Sequence, residues 1–282
     1  MSSLTAASAN TLFDTRVQRI LRLSARFVRV TLGGPSVHLM AANGLDLRVK
    51  LLIPRAPGYP PEFDPDLVAE VAWRRLWRSC DAHDRPHLRS YTVAAARHEA
   101  GEIDVDFYLH HPSGPASAWA VAATPGQRML VSAPDSRLST PTSGVQWRPG
   151  AARSVLIAGD DTAFPAIAQI ARSLPAETTA RILVEADEGA DVSWLTDRLR
   201  SHSVAVYSRG ATATGDLHEA VTAWTGEHGE AAAAMGSDFY AWIATESSRL
   251  AALRALLRST GIAADRVHSQ GYWNAGPRAS ES

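Results

Sequence analysis

Residues 87–117, HLRSYTVAAARHEAGEIDVDFYLHHPSGPAS, decide the fold of this chain, because they set two strands and a helix start around one anionic ligand. Arg89 supplies a guanidinium that can bind a phosphate through two parallel hydrogen bonds. Tyr91 supplies a ring that can lie on a planar heterocycle, and the hydroxyls of Ser90 and Thr92 can reach the polar edge of that heterocycle. These four side chains predict contact with a phosphate and with a flat ring.

The second strand and the turn after it complete the same predicted site. In residues 103–110, IDVDFYLH, the period-two alternation places Asp106 and His110 on one face of the strand. Gly114-Pro115-Ala116-Ser117 then opens a helix, where free N–H groups and the positive end of the helix dipole can bind a phosphate. A flat ring joined to a pyrophosphate is a dinucleotide, so we predict a flavin. The predicted contacts are Arg89, Ser90, Tyr91, Thr92, Asp106, Leu109, His110, Gly114, Ala116 and Ser117.

An ordinary barrel strand, with an exposed arginine and a buried tyrosine, is the alternative interpretation of the Arg-x-Tyr-Thr motif. Four residues of that type occur by chance in many proteins. The motif becomes more specific in combination with the following strand, its histidine and the Gly-Pro-Ala-Ser helix start. That combination favours the flavin site.

Composition bounds the compartment and the partners. The chain has 282 residues, enough for two ordinary domains, a formal charge of -1 and a pI near 6.8. This balance gives no overall attraction to nucleic acid or to a membrane surface, and we predict neither partner. The single cysteine, Cys80, excludes an internal disulfide, which fits a reducing compartment, so we expect a cytoplasmic location. The first 30 residues lack an unbroken apolar core and predict neither a signal peptide nor a membrane span.

Two other kinds of site are not predicted. The histidine pairs His83 with His87 and His110 with His111 lack a third ligand at a standard spacing, so we predict no metal. The chain contains no Gly-x-Ser-x-Gly elbow of the hydrolase type.

Residues 11–140 have the pattern of an antiparallel barrel. Strands are predicted at 27–32, 45–53, 88–93, 103–109 and 127–132, with helices at 67–78 and 116–123. Several short strands separated by close turns are typical of a small antiparallel barrel. We predict a flavin-binding antiparallel β-barrel domain here, and a loose end before Asn10.

The rest of the chain has a different pattern. Residues 141–152 are rich in Ser, Thr, Pro and Gly and are predicted to be a linker. Residues 153–282 alternate strands at 154–158, 180–185, 204–207 and 239–244 with helices at 164–174, 192–199, 217–224 and 248–260. Short apolar strands alternating with helices predict a parallel sheet of the nucleotide-binding type. The predicted fold class is therefore two-domain, β then α/β.

A possible nicotinamide site lies at the end of the first strand of this second domain. Gly159, Asp160 and Thr162 stand at the turn from a buried strand into a helix, which is where dinucleotides bind in open parallel sheets. The turn has one glycine, so it lacks the usual phosphate fingerprint, and Asp160 with Asp161 would repel a phosphate. We predict nicotinamide contacts at this turn on its position alone.

Acidic residues follow the next strand. Glu185, Asp187 or Glu188 could hydrogen-bond a ribose 2′-hydroxyl and disfavour a 2′-phosphate, which would favour NADH over NADPH. Arg209, after the following strand, argues for the opposite preference. A solvated acidic loop is the interpretation that the usual exposure of such residues favours.

The chain resembles the siderophore-interacting proteins, the FAD-containing ferric-siderophore reductases of the ferredoxin-reductase-like superfamily. The matching motifs are Val49-Lys50-Leu51-Leu52, Arg89-Ser90-Tyr91-Thr92-Val93, Asp104-Val105-Asp106-Phe107, Leu109-His110, Gly114-Pro115-Ala116-Ser117-Ala118-Trp119-Ala120, Ala158-Gly159-Asp160, Thr162-Ala163, Pro165-Ala166-Ile167, Tyr240-Ala241-Trp242 and Gly271-Tyr272-Trp273. The resemblance implies an FAD-binding barrel followed by a nicotinamide-binding domain, with NADH or NADPH as electron donor.

The resemblance also implies a substrate site. A lysine at the position of Lys50, with arginines after the closing strand and after the last Tyr-Trp, looks like a basic pocket for an anionic ferric chelate. The predicted substrate contacts are Lys50, Arg137 as a weak second, and Trp273, which is followed here by Asn274 rather than by a basic residue. The family's Ala-Gly-Glu is Ala-Thr-Glu, so Thr245 would add a side chain where nicotinamide approaches Glu246.

These expectations lead to one main hypothesis and two alternatives. The main hypothesis is an NAD(P)H-dependent flavoenzyme that reduces an iron(III)-siderophore or a similar chelate and releases iron(II), with the flavin carrying the chemistry. The first alternative is the same scaffold in a natural-product step or as electron donor to a partner. The second is a binding protein without a redox role.

Overall fold

The computed structural model describes residues 9–41, 43–55, 58–63, 68–186, 189–199, 203–208 and 216–276. The chain divides into two compact units, Met1–Val145 and Gln146–Ser282. The division falls inside the segment 141–152 that the sequence predicts as a linker. Among the described residues, no helix is both long enough and apolar enough to cross a membrane.

The first unit is a closed antiparallel barrel. Its strands are β1 (Asn10–Arg22), β2 (Phe27–Gly33), β3 (Arg48–Ile53), β4 (Val68–Ala69), β5 (His87–Arg97), β6 (Glu102–Tyr108) and β7 (Arg128–Pro134). Six strands close in the order β1-β2-β6-β5-β3-β7, with β7 pairing back to β1, and the two-residue β4 adds to the edge of β1. Two helices, α1 (Glu70–Ser79) and α2 (Pro115–Ala122), pack against the barrel. This confirms the predicted barrel.

Side chains alternate between the two faces of each strand, so that every second residue points into the barrel. Inward-facing Phe13, Leu51, Val105 and Val131 are fully buried and come from different strands of the ring. A second apolar cluster, centred on Trp73 of α1, covers part of the outer face. The barrel therefore has a filled core, and its ligands must bind at its ends or on its outside.

Three local predictions for this unit need correction. The sequence predicts no strand before residue 27, yet β1 is 13 residues long. The strand predicted at 45–53 begins only at Arg48, because Gly44 and Leu45 have positive φ angles of 61° and 57° and form a turn. The helix predicted at 67–78 begins at Glu70, since the residues just before it pair with β1 as β4.

The second unit is a parallel sheet with helices on its faces. Its strands are β8 (Ser154–Asp160), β9 (Thr179–Ala186), β10 (Ser203–Ser208), β11 (Phe239–Glu246) and β12 (Val267–Trp273), in the order β10-β9-β8-β11-β12. Its helices are α3 (Phe164–Ser173), α4 (Gly189–Thr196), α5 (Asp216–Ala234) and α6 (Leu250–Ser259). The chain moves outward from β8 in one direction and then returns to the other side of it, so the topological switch point lies between β8 and β11.

The predicted parallel sheet is confirmed, with three corrections. The sequence patterns predict no strand at β12, and they end α5 ten residues early, at 224 instead of 234. The start of α6 is also different: the carboxylate of Glu246, rather than Ser247 or Ser248, accepts the backbone N–H of Ser248 at 2.7 Å. A short 3-10 turn, Ser247–Arg249, then leads into the helix.

Candidate functional site

The two strands that carry the predicted flavin motif separate at one end of the barrel. β5 pairs with β6 only from Val93 to Arg97, with a register shift between Val93 and Ala95, just before the end of the pairing. Before that point β5 pairs with β3 alone among the described strands. The backbone edge of residues 89–92 is thus left without a strand partner on the β6 side. We call residues 89–92, 107–110 and 114–119 the barrel rim.

Three aromatic rings line the barrel rim. The Tyr91 ring lies 4.5 Å from that of Phe107, which lies 5.5 Å from that of Trp119. Burial raises the pKa of the Tyr91 phenol, so the hydroxyl stays protonated. The Trp119 Nε1–H is buried and has no acceptor among the described residues. A buried donor without a partner next to an open strand edge fits a ligand with acceptor atoms and a flat ring.

His110 and Gly114 meet at the rim as the sequence analysis expects. His110 follows the end of β6 and is exposed, and a Cβ atom on Gly114 would lie 3.2 Å from His110 Cε1 and 3.3 Å from its Nε2. A side chain at this position would require the imidazole to move by a few tenths of an ångström, so glycine favours this close approach of His110 to the start of α2. The helix begins at Pro115 without a side-chain cap, so its first N–H groups keep their capacity for an anion.

Ser117 and its neighbours fix α2 on the barrel. The Ser117 Oγ donates to the Tyr108 carbonyl at 3.2 Å, and its side chain is buried. Ala116 is buried as well, and the Leu109 N–H donates to the Arg26 carbonyl at 2.7 Å. The hydroxyl hydrogen of Ser117 and the N–H of Leu109 are thus already used, and contacts of Ala116, Ser117 and Leu109 with FAD stay predictions.

The Arg-x-Tyr-Thr motif is divided between the two faces of β5. Arg89 and Tyr91 stand opposite Leu51 and Val49, which are buried in the barrel. The intervening Ser90 stands opposite Lys50 on the outer face, and Thr92 stands opposite Arg48. The structure therefore places Ser90 opposite the predicted substrate residue Lys50 and Thr92 opposite Arg48, while Arg89 and Tyr91 lie on the inner face of β5.

Asp106 does not face the rim as the alternation of residues 103–110 suggests. Its two carboxylate oxygens accept from Arg29 Nε and Nη2 at 2.7 and 2.8 Å, and the side chain is buried. Neighbouring Asp104 accepts two more hydrogen bonds from Arg97 at 2.6 and 2.7 Å. Asp106 thus belongs to a cross-strand ion-pair ladder between β2, β6 and β5, and its contact with FAD stays a prediction.

Arg137, the second predicted substrate cation, is held by a neighbouring carboxylate. Its guanidinium donates to both oxygens of Asp135, at 2.9 and 2.6 Å. The hydrogen bonds and charge of Arg137 lower the pKa of Asp135 below its ordinary range, so the pair stays ionised. The positive charge of Arg137 is therefore already compensated where the resemblance expects a cation for the substrate.

At the switch point, three fully buried polar side chains lie at the ends of β11, β8 and β9: Thr245, Asp160 and Glu185. Asp160 is paired with Glu185, and Thr245 follows Ala244, the partner of Gly159. Asp160 accepts from Thr245 Oγ1 at 2.8 Å and from Trp273 Nε1 at 2.7 Å through one oxygen. Its other oxygen accepts from the N–H and the hydroxyl of Thr162. Asp160 is therefore the centre of a hydrogen-bond network that joins three strands. We call it, with Glu185 and Arg249, the switch-point network.

Glu185 is not part of a solvated acidic loop. Its oxygens accept from Arg249 Nη1 and Nη2 at 3.0 and 2.7 Å, and one of them also accepts the Leu217 N–H at 3.0 Å. The carboxylate that could select a ribose 2′-hydroxyl is thus bound inside the protein. The other residues of that argument, Asp187, Glu188 and Arg209, lie outside the described residues.

The remaining predicted nicotinamide contacts also have internal roles. A Cβ on Gly159 would lie 2.8 Å from the Ala163 Cβ and 2.9 Å from the Ala244 carbonyl, so glycine is needed for packing there. Burial alone would raise the pKa of Glu246, but hydrogen bonds from Ser248, Ala275 and Arg249 lower it below its ordinary value. Thr245 is directed at Asp160 and does not add a side chain to an open crevice. The polar side chains of Asp160, Thr162 and Glu246 therefore already have hydrogen-bond partners inside the protein.

Several residues of these two regions were not singled out from the sequence. Trp119 belongs to a matching motif, but nothing in the pattern shows that its N–H lacks a partner. The position of Arg48 could have been predicted, because it stands two residues before Lys50 and therefore on the same face of β3. Arg249 has none, since its partner Glu185 is distant in the sequence. Among the described residues, no group of three His, Cys, Asp or Glu side chains could hold a metal ion.

Comparison with known proteins identifies relatives of both units. The siderophore-interacting FAD-binding domain matches residues 16–138, and the siderophore-interacting protein domain matches residues 152–276. The chain is 30% identical over 223 residues to the mycobactin import ATP-binding/permease protein IrtA of Mycolicibacterium thermoresistibile, a match that covers 77% of this chain and 22% of that protein. It thus spans less than a quarter of that relative's length.

Two further comparisons cover nearly the whole chain. The ferric vibriobactin reductase ViuB of Vibrio cholerae is 26% identical over 258 residues, covering 90% of this chain and 86% of that protein. The crystal structure of the siderophore-interacting protein SipS from Aeromonas hydrophila superimposes with a TM-score of 0.70 at 24% identity, covering 95% of this chain and 94% of the other. At that identity the structural likeness establishes the fold.

Proposed function

Because the chain belongs to the siderophore-interacting protein family, we propose that it catalyses the reduction of an iron(III) chelate by NADH or NADPH with FAD as cofactor. The observation that carries the proposal is the barrel rim, where an open strand edge, three aromatic rings and a buried N–H with no partner in the described part of the chain lie together. FAD, when bound, supplies the conversion of a two-electron hydride donor into two one-electron transfers.

The residues of the chain contribute binding and orientation. Arg89 and the start of α2 would bind the pyrophosphate through charge and N–H groups. Tyr91 would lie against the flat ring, and Trp119 would donate its indole N–H to an acceptor of the cofactor. His110, held against Gly114, would border the same seat. None of these groups has to gain or lose a proton for electron transfer to an iron(III) chelate.

The switch-point network would help to bind NADH or NADPH indirectly, by fixing the shape of the surface that the nucleotide contacts. Its carboxylates are saturated with hydrogen bonds, so NADH or NADPH would contact backbone groups and the surface that the network holds in place. Glu185 cannot act as the acidic selector of a ribose 2′-hydroxyl while Arg249 and the Leu217 N–H occupy it. The donor preference is therefore not set by Glu185.

The neutralised Arg137 supports a second candidate function, in which the same flavin scaffold serves a natural-product step or donates electrons to a partner protein. The ferric substrate of the family resemblance needs cations, and Asp135 removes one of them. Lys50 favours the reduction of an iron(III) chelate over this second function, since it stands on the outer face of the barrel opposite two serines, Ser90 and Ser132.

A visible spectrum with and without added FAD, followed by anaerobic addition of NADH or NADPH, tests the proposal. We expect a flavin spectrum that one or both nucleotides bleach and that iron(III) chelates restore with formation of iron(II). A protein that takes up no FAD would contradict both candidate functions. A flavin that is bleached but not reoxidised by any iron(III) chelate would leave only the second.

A further inference from the structure

We propose that Arg48 is the second cation of the substrate site, in place of Arg137, and that it binds an anionic, oxygen-rich iron(III) chelate together with Lys50. This inference rests on the proposed function and names a specificity-determining residue for it. Arg48 and Lys50 are separated by one residue on β3, so their side chains leave the same face of the strand about 7 Å apart. The intervening Val49 is buried on the opposite face.

Two serine residues stand beside Lys50 on the neighbouring strands, and one of them also contacts Arg48. Ser90 on β5 stands directly opposite Lys50, and Ser132 on β7 stands opposite it on the other side. The Arg48 Nε donates to the Ser90 Oγ at 3.3 Å, so the Ser90 hydroxyl is left to donate its own hydrogen. The Ser132 Oγ is buried and has no hydrogen-bond partner among the described residues. An unpartnered buried hydroxyl beside a lysine is the kind of group that a bound anion completes.

The charge of Arg48 is available, whereas that of Arg137 is not. Arg48 is exposed, and it forms no ion pair with a carboxylate among the described residues. Arg137 instead lies 2.6 Å from the buried carboxylate of Asp135. A guanidinium that keeps its terminal N–H groups can bind carboxylate or catecholate oxygens in a bidentate manner. Arg48 thereby restores the second positive charge that the pairing of Arg137 removes.

The expected ligand is therefore an iron(III) complex with a net negative charge carried on carboxylate or catecholate oxygens. An uncharged complex of similar size would gain little from Arg48, because the attraction is between opposite charges. Attraction at an exposed guanidinium is also screened by salt. Charge dependence and salt dependence together distinguish this role from a structural role of Arg48.

Binding is measured with gallium(III), which has the coordination chemistry of iron(III) but is not reduced. The FAD-loaded protein is titrated calorimetrically with the gallium complex of a hexadentate tris-catecholate, charge -3, and with uncharged gallium tris-maltolate. We expect Arg48→Gln to raise the dissociation constant of the anionic complex about tenfold and to reduce its salt dependence, with no change for the uncharged complex. Arg48→Lys should recover part of the affinity.

Arg75→Gln, on the exposed side of α1, is the matched control for net charge and should bind like the wild type. The flavin spectrum and FAD affinity of each variant show whether the rim is intact. Equal affinity of Arg48→Gln and wild type for the anionic complex would overturn the role of Arg48 alone, provided that the wild type reduces iron(III) chelates. A wild type that neither binds gallium complexes nor reduces iron(III) chelates would overturn the proposed function as well.

Discussion

The barrel rim and the switch-point network are both predicted to contact cofactors, yet they treat polar groups in opposite ways. Among the residues that the structure describes, the rim edge of β5 lacks a strand partner on the β6 side and the Trp119 N–H lacks an acceptor. At the switch point, every oxygen of Asp160 and Glu185 accepts at least one hydrogen bond. The rim therefore has backbone and side-chain groups that can bind a ligand. The polar groups of the switch-point network are instead hydrogen-bonded to one another and stabilise the sheet. Substitutions should separate these two uses.

Removing Arg249 should have the largest effect, and on stability. Arg249→Ala leaves Glu185 buried without its cation, which should destabilise the second unit by about 3 kcal/mol. Urea unfolding measures the loss, and hydrogen exchange resolved by peptide assigns it to β9 and β11. Two units need not unfold together, so the assignment by exchange is essential.

The double variant Glu185→Gln with Arg249→Met removes both charges and should recover much of that stability. Arg254→Ala, which loses one exposed hydrogen bond to Ser269, is the control and should be nearly neutral. If Arg249→Ala were as stable as Arg254→Ala, the network would not have the structural role described above.

Removing Arg89 should affect the cofactor instead. Arg89→Ala should weaken FAD binding by about 1.5 to 3 kcal/mol, the scale of a lost charge-assisted contact, because its guanidinium is expected on the pyrophosphate. Flavin fluorescence in an FAD titration measures the effect, with Arg75→Ala as the control. An unchanged FAD affinity would mean that the phosphate site has been misplaced.

A methyl group at Gly114 tests the rim more finely. The new Cβ would crowd the His110 imidazole, but His110 is exposed and can rotate, so Gly114→Ala should weaken FAD binding by about 1 kcal/mol. Gly226→Ala, where no atom lies within 4 Å of the new methyl, is the control. Unchanged FAD binding in Gly114→Ala would show that the position of His110 is unrelated to the flavin.

The smallest expected effect is a pH dependence at Glu246. Its pKa in the folded protein is below the ordinary value of 4.5, so folding is stabilised by this carboxylate above that pH and loses the contribution as the pH falls through the lowered pKa. Thermal unfolding of Glu246→Gln should therefore be less sensitive to acid than that of the wild type. If the two proteins were equally sensitive to acid, the ionisation of Glu246 would not contribute to the stability of the fold.

The sequence predicts the two-domain fold because the period of the apolar residues changes near residue 150. It misses β1, since a bulge after Val17 interrupts the alternation and the strand ends in exposed residues such as Arg19 and Arg22. It misses β12, whose residues are all half-buried, so that the strand lacks an apolar face. Contacts of residues distant in sequence, such as Arg249 with Glu185, leave no local pattern.

The same limits apply to the candidate site. The motif around Arg89 and the glycine beside His110 are local, so the sequence places them near one another. Which face each residue occupies depends on register: Asp106 faces Arg29 on β2, and Ser90 faces Lys50 on β3. Register is set by the packing of the whole sheet, and a single sequence does not contain it.

An FAD titration of the wild type, Arg89→Ala and Arg249→Ala, with unfolding of each protein measured in parallel, tests most directly whether the open rim holds the flavin. We expect the two variants to affect different measurements. Arg89→Ala should lose FAD affinity without a change in its stability to unfolding, whereas Arg249→Ala should unfold more easily but bind FAD like the wild type. Loss of FAD affinity in Arg249→Ala, with none in Arg89→Ala, would contradict the assignment of the flavin to the barrel rim.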